Sequence, residues 1–234
     1  MTIITIRQPG YLPNVGFFKK IQASDIFVYL DDAQYAIRSW DNRNKIRNGN
    51  ETSWLSVPVI HPHHKKLNEV EISYTKDWIT NHVNLIESNY TKTPYFNNYW
   101  KEIKLILEKK WEKLVDFNIE FIEKCCNYLG IKTKFRRASE LNSQGKKSEL
   151  LLNICLEMKS CQYLSTIGAK EYLDKDKEMF ESKNIEIIYH EYDHPKYKQK
   201  GKRFIEKLSI LDLIFNENVN SKNYFNSKSK NIVI

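Results

Sequence analysis

Several absences narrow this 234-residue chain before any motif is read. It has no GxGxxG run and no GxxxxGK[ST] run, so both the dinucleotide fingerprint and the Walker phosphate loop are missing. Four cysteines, Cys125, Cys126, Cys155 and Cys161, form no CxxC pattern. They read as core thiols of a protein in a reducing cytoplasm, not as a zinc ribbon or redox dithiol. No stretch of about 18 apolar residues occurs, so no membrane span is expected. Met1 leads straight into a strand-like segment without the basic and apolar regions of a secretory signal.

The hydrophobic fraction of 41% and aromatic fraction of 13% provide for a substantial core and argue against disorder. The formal charge is +8, but the lysines are spread along the whole chain. That spread favours general basic bias over a nucleic-acid stripe, and an anionic small substrate is equally compatible. No internal repeat is present, and the one shift in pattern falls at Asp77.

The N-terminal region carries the clearest organisation. An apolar strand at 3–6 runs into QPGYLPNVGFFKKI, an amphipathic segment follows at 17–23, and a second strand at 26–30 ends on Asp31 and Asp32. This is a βαβ unit, which sets Gln8, Tyr11 and Asp31 on one rim of a sheet and the helix-start amides beside them. Pro9 and Pro13 stiffen the loop, while Gly10 and Gly16 permit close backbone approach. Asp31 and Asp32 point to opposite sides of an extended chain, so only one faces the site, and either also suits a turn cap. Residues 41–52 read as a polar loop with a turn at Asn48, Gly49 and Asn50, and strands are expected at 54–60 and 69–72. Helical periodicity fills 77–129, broken near Thr93 and Pro94 and closed by Gly130. Strands are expected at 132–136, 163–166 and 185–189, and helices at 148–158 and at 208–215, where Ser209 caps. The fold expected is α/β, with a mainly parallel Rossmann-like sheet and a helical insertion. Its parts are an N-terminal core half with ligand loops (1–76), a helical subdomain (77–129), a C-terminal core half (130–218) and a loosely held tail (219–234).

Five side-chain groups bear on chemistry. Asp31 at a strand end can position an amine or hydroxyl. Gln34, Tyr35, Trp40, Asn42, Arg43 and Lys45 combine an arginine fork with aromatic faces, which suits a nucleotide sugar as well as it suits a solvated loop. His61, His63 and His64 have no further ligand at metal spacing, so no metal site is assigned. YLSTIGAKEYL sets Ser165, Gly168 and Lys170 at a strand-to-helix turn, where hydroxyls, amides and a cation can meet an oxyanion or simply cap the helix. In YHEYDHPKYKQ, Pro195 holds His194 extended, and an imidazole titrating near neutrality is the best general-base candidate.

QPGYLPNVGFFKKI, DDAQY, WDNRNKI, WLSVPV, YLSTIGAKEYL and YDHPKYKQ, followed by FIEKLSILDLIFN, resemble the WbqC-like family of bacterial proteins nearly collinearly from residue 3 to about 218. That resemblance implies a transferase of O-antigen and other surface-polysaccharide biosynthesis. Its substrate would be a nucleotide-linked amino sugar, to which it would pass an aminoacyl group, glycine in particular. The donor would be an amino acid or an aminoacyl-tRNA. Arg43 and Lys170 would then hold anionic groups, and Gln8, Tyr11, Gln34 and Asn42 would orient donor or sugar. Tyr35, Ser165, Gly168 and Gln199 complete the binding set, and Asp31 or His194 would take the proton. The chain is also similar to the nucleotidyltransferase-like superfamily that includes pantothenate synthetase, in which ATP activates an acid as its adenylate. Of that superfamily's HxGH only Gly16 is matched. Two other expectations stand beside the transferase: a noncatalytic nucleotide- or sugar-binding protein, and a basic nucleic-acid binder.

Overall fold

The computed structural model describes residues 2–218, 223–226 and 231–233. The first half runs β1 (Ile3–Arg7), α1 (Val15–Gln22), β2 (Ile26–Tyr29), β3 (Arg43–Asn48), β4 (Glu51–Ser56), β5 (Val59–Ile60), β6 (Glu71–Ile72), α2 (Trp78–Tyr90), α3 (Phe96–Glu108) and α4 (Leu114–Leu129). The second half adds β7 (Lys134–Arg137), α5 (Ser148–Glu157), β8 (Gln162–Thr166), α6 (Lys170–Leu173), α7 (Lys177–Glu181), β9 (Glu186–His190), α8 (Ile210–Glu217), α9 (Asn223–Asn226) and β10 (Asn231–Val233).

The main sheet has the order β10-β9-β8-β1-β2-β7. Five neighbouring strands are parallel, and β10 joins β9 antiparallel at the edge. The expected α/β sheet is therefore present, with helices on both faces. Alternation along β2 explains the two faces: Phe27 and Tyr29 join the core beneath α1, α2–α4 and α8, whereas Val28 joins the core beneath α5 and α7. Helices α2–α4 share one apolar cluster with α1, β2 and α8. No helix among the described residues is long and apolar enough to cross a membrane.

Local signals explain most element ends. Asn14 caps α1 by accepting from Phe17 N, and Gly130 ends α4 in the left-handed region at φ 71°. Ser209 caps α8, its side chain accepting from Leu211 N.

The polar loop expected at 41–52 is instead a hairpin. β3 pairs antiparallel with β4, Lys45 opposite Trp54, and the expected Asn-Gly-Asn turn joins the two strands. β3 lacks apolar alternation because two of its inward positions are polar. Asn44 donates to Tyr11 O and Leu12 O, while Arg47 donates to Gly49 O, Gln199 Oε1 and Arg203 O. The strand expected at 54–60 is split into β4 and β5, outside the main sheet. Within the tail expected to be loosely held, β10 lies beside β9 and Phe225 is buried; the rest of that call falls outside the described residues.

Candidate functional site

The chain leaves β1 toward β2 and β7, then crosses back to β8 and β9 on the other side. The order therefore reverses between β1 and β8, where open α/β sheets form a crevice at their carboxyl ends. Pairing between these strands stops at Ile4 and Tyr163, although β1 continues to Arg7 and β8 to Thr166. Thr5 Oγ1 bridges the opening by donating to Leu164 O at 3.1 Å. Beyond it lies a cleft of about 1480 Å³. Its walls are the end of β1, Lys20 of α1, the chain after β2, Lys66 and Asn68, residues from β7 into α5, and the end of β8. That exceeds the roughly 300–1,000 Å³ that holds one compact ligand.

Cations dominate the walls: Arg7, Lys20, Lys66, Lys146, Lys147 and Lys175 against Asp32 and Asp176. Arg7 is reached by solvent yet enclosed by protein, its guanidinium 5.2 Å from the Phe17 ring centroid. Enclosure lowers its pKa, against the opposing charge of Asp41. Lys20 is 3% exposed and has no hydrogen-bonding or carboxylate partner for its ammonium among the described residues. Burial, and then the charge of Arg7, hold its pKa well below the usual lysine range. His190 pairs in register with Thr166, and its Nε2 is buried without a partner among the described residues. Its pKa is pushed down to about 4 by burial and then by Lys20, Lys19 and Arg7. A buried cation without counter-charge, as Lys20 is, is costly unless a ligand supplies the anion. Nearby, Asp32 Oδ1 and Asn68 Oδ1 are buried acceptors of residues lining the same cleft, and they receive no donor from the described residues. Together the groups can hold an anion at one point and accept N–H or O–H bonds at another.

Of the residues expected at a site, Gln8, Gln34 and Ser165 line this cleft, and Gln8 Nε2 donates to Gln34 O at 3.3 Å. Asp31 does not line it. Its buried carboxylate accepts from Ser139 N at 2.9 Å and Ser139 Oγ at 2.6 Å, tying the end of β2 to the turn after β7, and its neighbour Asp32 faces the cleft instead. Tyr11 is fully buried; its hydroxyl lies 2.8 Å from His82 Nδ1. Tyr35 is buried, and burial raises its pKa to about 12. Asn42 Nδ2 donates to Val57 O, and Arg43 stacks 4.6 Å from the Trp54 ring centroid. Gly168 is exposed in the turn after β8, and Lys170 pairs with Asp174. His194 sits among Tyr192 and Phe204, away from the cleft, with burial lowering its pKa. Gln199 is spent inside the fold: its Oε1 accepts from Arg47 and from Ile205 N. The groups that sequence reasoning missed are Arg7, Lys20 and His190; of the pair Asp31 and Asp32, it assigned the site role to Asp31. Arg7 and Lys20 had a signal, a lone cation ending an apolar strand and a lysine on the inward face of a short amphipathic helix.

The start of α1 does not serve as the expected anion cradle. A Cβ on Gly16 would lie 2.5 Å from the Tyr192 ring, so this glycine admits a tyrosine rather than a phosphate. Where HxGH would stand, Asn14 caps the helix and Phe17 is buried beside Arg7. These residues do not fit an ATP phosphate chain held in the HxGH manner. A smaller pocket of about 200 Å³ next to this turn shares Arg7 and Gln8 with the large cleft. Around His61, His63 and His64 the chain is exposed, and among the described residues no group of three or more His, Cys, Asp or Glu is placed to hold a metal.

Numbered along the chain, the five parallel strands lie in the order 3-2-1-4-5, which with the basic crevice at the reversal defines a Rossmann-like α/β protein. The WbqC-like protein family matches residues 8–224, and the chain belongs to that family. It is 32% identical over 228 residues to the uncharacterized protein Rv1507c of Mycobacterium tuberculosis, covering 96% of this chain and 97% of the relative. No solved structure matches the chain.

Proposed function

We propose that the chain is a transferase that takes a nucleotide-linked amino sugar into the β1–β8 crevice and passes an aminoacyl group, glycyl among them, to its amine, in surface-polysaccharide biosynthesis. The observation that carries this is Lys20, a buried cation without a carboxylate partner, beside Arg7 at the reversal of a 3-2-1-4-5 sheet. A diphosphate supplies the missing charge. Gln8, Gln34 and Ser165 offer neutral donors and acceptors to the sugar. An ammonium cannot attack an acyl carbon, so a base is required, and Asp32 has a free acceptor oxygen in the cleft wall. The amine loses its proton to Asp32, attacks the acyl carbon, and the donor's leaving group departs. The family resemblance supplies the substrate class; the cleft supplies room and charge for it.

The test is mass spectrometry of the purified chain with a panel of nucleotide-linked amino sugars. Free glycine or another amino acid, with and without ATP, and aminoacyl-tRNA serve as donors. A sugar heavier by one aminoacyl residue is expected with one donor arm. Thermal stabilisation by the nucleotide sugar without product in any arm would replace the transferase by a noncatalytic binding protein.

A further inference from the structure

The same cleft that Arg7 and Lys20 line is also lined by a polar segment, SQGKKS, from Ser143 to Ser148. It leads into α5, a helix of 10 residues whose preceding residue, Lys147, makes no side-chain cap. Ser148 is the first helical residue. It is 3% exposed, and its hydroxyl oxygen is buried without a partner among the described residues although the residue lines the cleft. Among the described residues the amides of Ser148, Glu149 and Leu150 meet no acceptor, while Leu151 N donates back to Lys147 O. A helix start concentrates positive potential and free N–H groups at one point, and an unpaired buried hydroxyl beside it adds a fourth donor. Lys146 and Lys147 line the same cleft and have no carboxylate within 4.0 Å among the described residues. Glu149, whose side chain packs toward Gly145, does not line the cleft.

We infer that the first turn of α5, with Ser148 Oγ and Lys146, is a second anion subsite that takes a phosphoryl group. It goes beyond the transferase reading, since a noncatalytic binder would need it equally. Two anion subsites on separate segments lining one large cleft fit a ligand with separated anionic groups, or two anionic ligands side by side.

Inorganic pyrophosphate is the probe, titrated into the isotopically labelled full chain while backbone amide resonances are followed. The resonances of Ser148, Glu149 and Leu150 are expected to move with a common saturation curve. Ser148→Ala and Lys146→Gln should each weaken that curve roughly tenfold, the worth of one hydrogen bond or ion contact to a charged group. Lys146 is exposed, so its variant is expected to fold whatever Ser148→Ala does. In Arg7→Gln the same three resonances should still respond. Shifts confined to Arg7, Gln8 and Thr166 would overturn the second subsite and leave the crevice reading standing. Absence of any shift at α5 in the wild-type chain would overturn it equally.

Discussion

Asp31 and Asp32 are adjacent carboxylates with opposite surroundings. Asp31 accepts two bonds from Ser139 inside the fold, whereas Asp32 keeps a buried oxygen free in the cleft wall. Asp31→Asn should therefore cost about 1–3 kcal/mol of stability, because an amide cannot accept both donors with both atoms. Asp32→Asn should leave the unfolding curve in place and lower turnover by roughly a hundredfold, the usual range for loss of a general base. Chemical denaturation and the product assay together separate the two. Histidines give a second residue-scale outcome. His82 accepts from Ser56 N at Nε2, which leaves its proton at Nδ1 facing Tyr11 Oη, and burial pushes its pKa down to about 4. His190 is pushed to about 4 as well. In the unfolded chain both take up a proton near pH 6.5, in the folded chain only near 4. Their contribution is thus full above pH 6.5 and is lost as pH falls toward 4, by about 3 kcal/mol per histidine at the low end. Urea unfolding at pH 7, 5.5 and 4 should trace this loss, and His82→Gln should remove part of it.

Among the elements, α1 is fixed at its start by small-residue and polar devices. Asn14 caps it, and Gly16 seats Tyr192. Gly16→Ala should cost about 1–3 kcal/mol by overpacking, and Tyr192→Ala in the same chain should recover most of that loss. A thermal-melt double-mutant cycle reads the coupling. Element ends of this kind were legible in the sequence where caps act locally: Gly130 and Ser209 stand where their residue types predict, whereas the cap at Asn14 emerged only in the structure, which starts α1 at Val15. β3 was not legible, because a strand that buries Asn44 and Arg47 offers no apolar alternation, and its polar partners come from residues as distant as Gln199 and Arg203. The same distance hid the true setting of Gln199 and of Asp31. Whether a carboxylate is braced or free depends on Ser139, more than a hundred residues away.

For the whole molecule, the parallel sheet could be read from alternating strand and helix patterns, while the position of its reversal could not. The gap between β1 and β8 exists because their pairing ends at Ile4 and Tyr163 while both strands continue, and that register is a property of packing on both faces. Opening the sheet there exposes Arg7 and Lys20 to one cleft and brings His190 beside them, so charge that is diffuse along the sequence becomes concentrated in space. The most direct measurement is equilibrium binding of nucleotide-linked amino sugars to the wild-type chain and to the Arg7→Gln and Lys20→Met variants, at two salt concentrations. A site built on these cations predicts affinity at least tenfold weaker in each variant, with a shallower salt dependence and an unchanged fold. Equal affinity and equal salt dependence in all three proteins would contradict the placement of the ligand in the β1–β8 crevice.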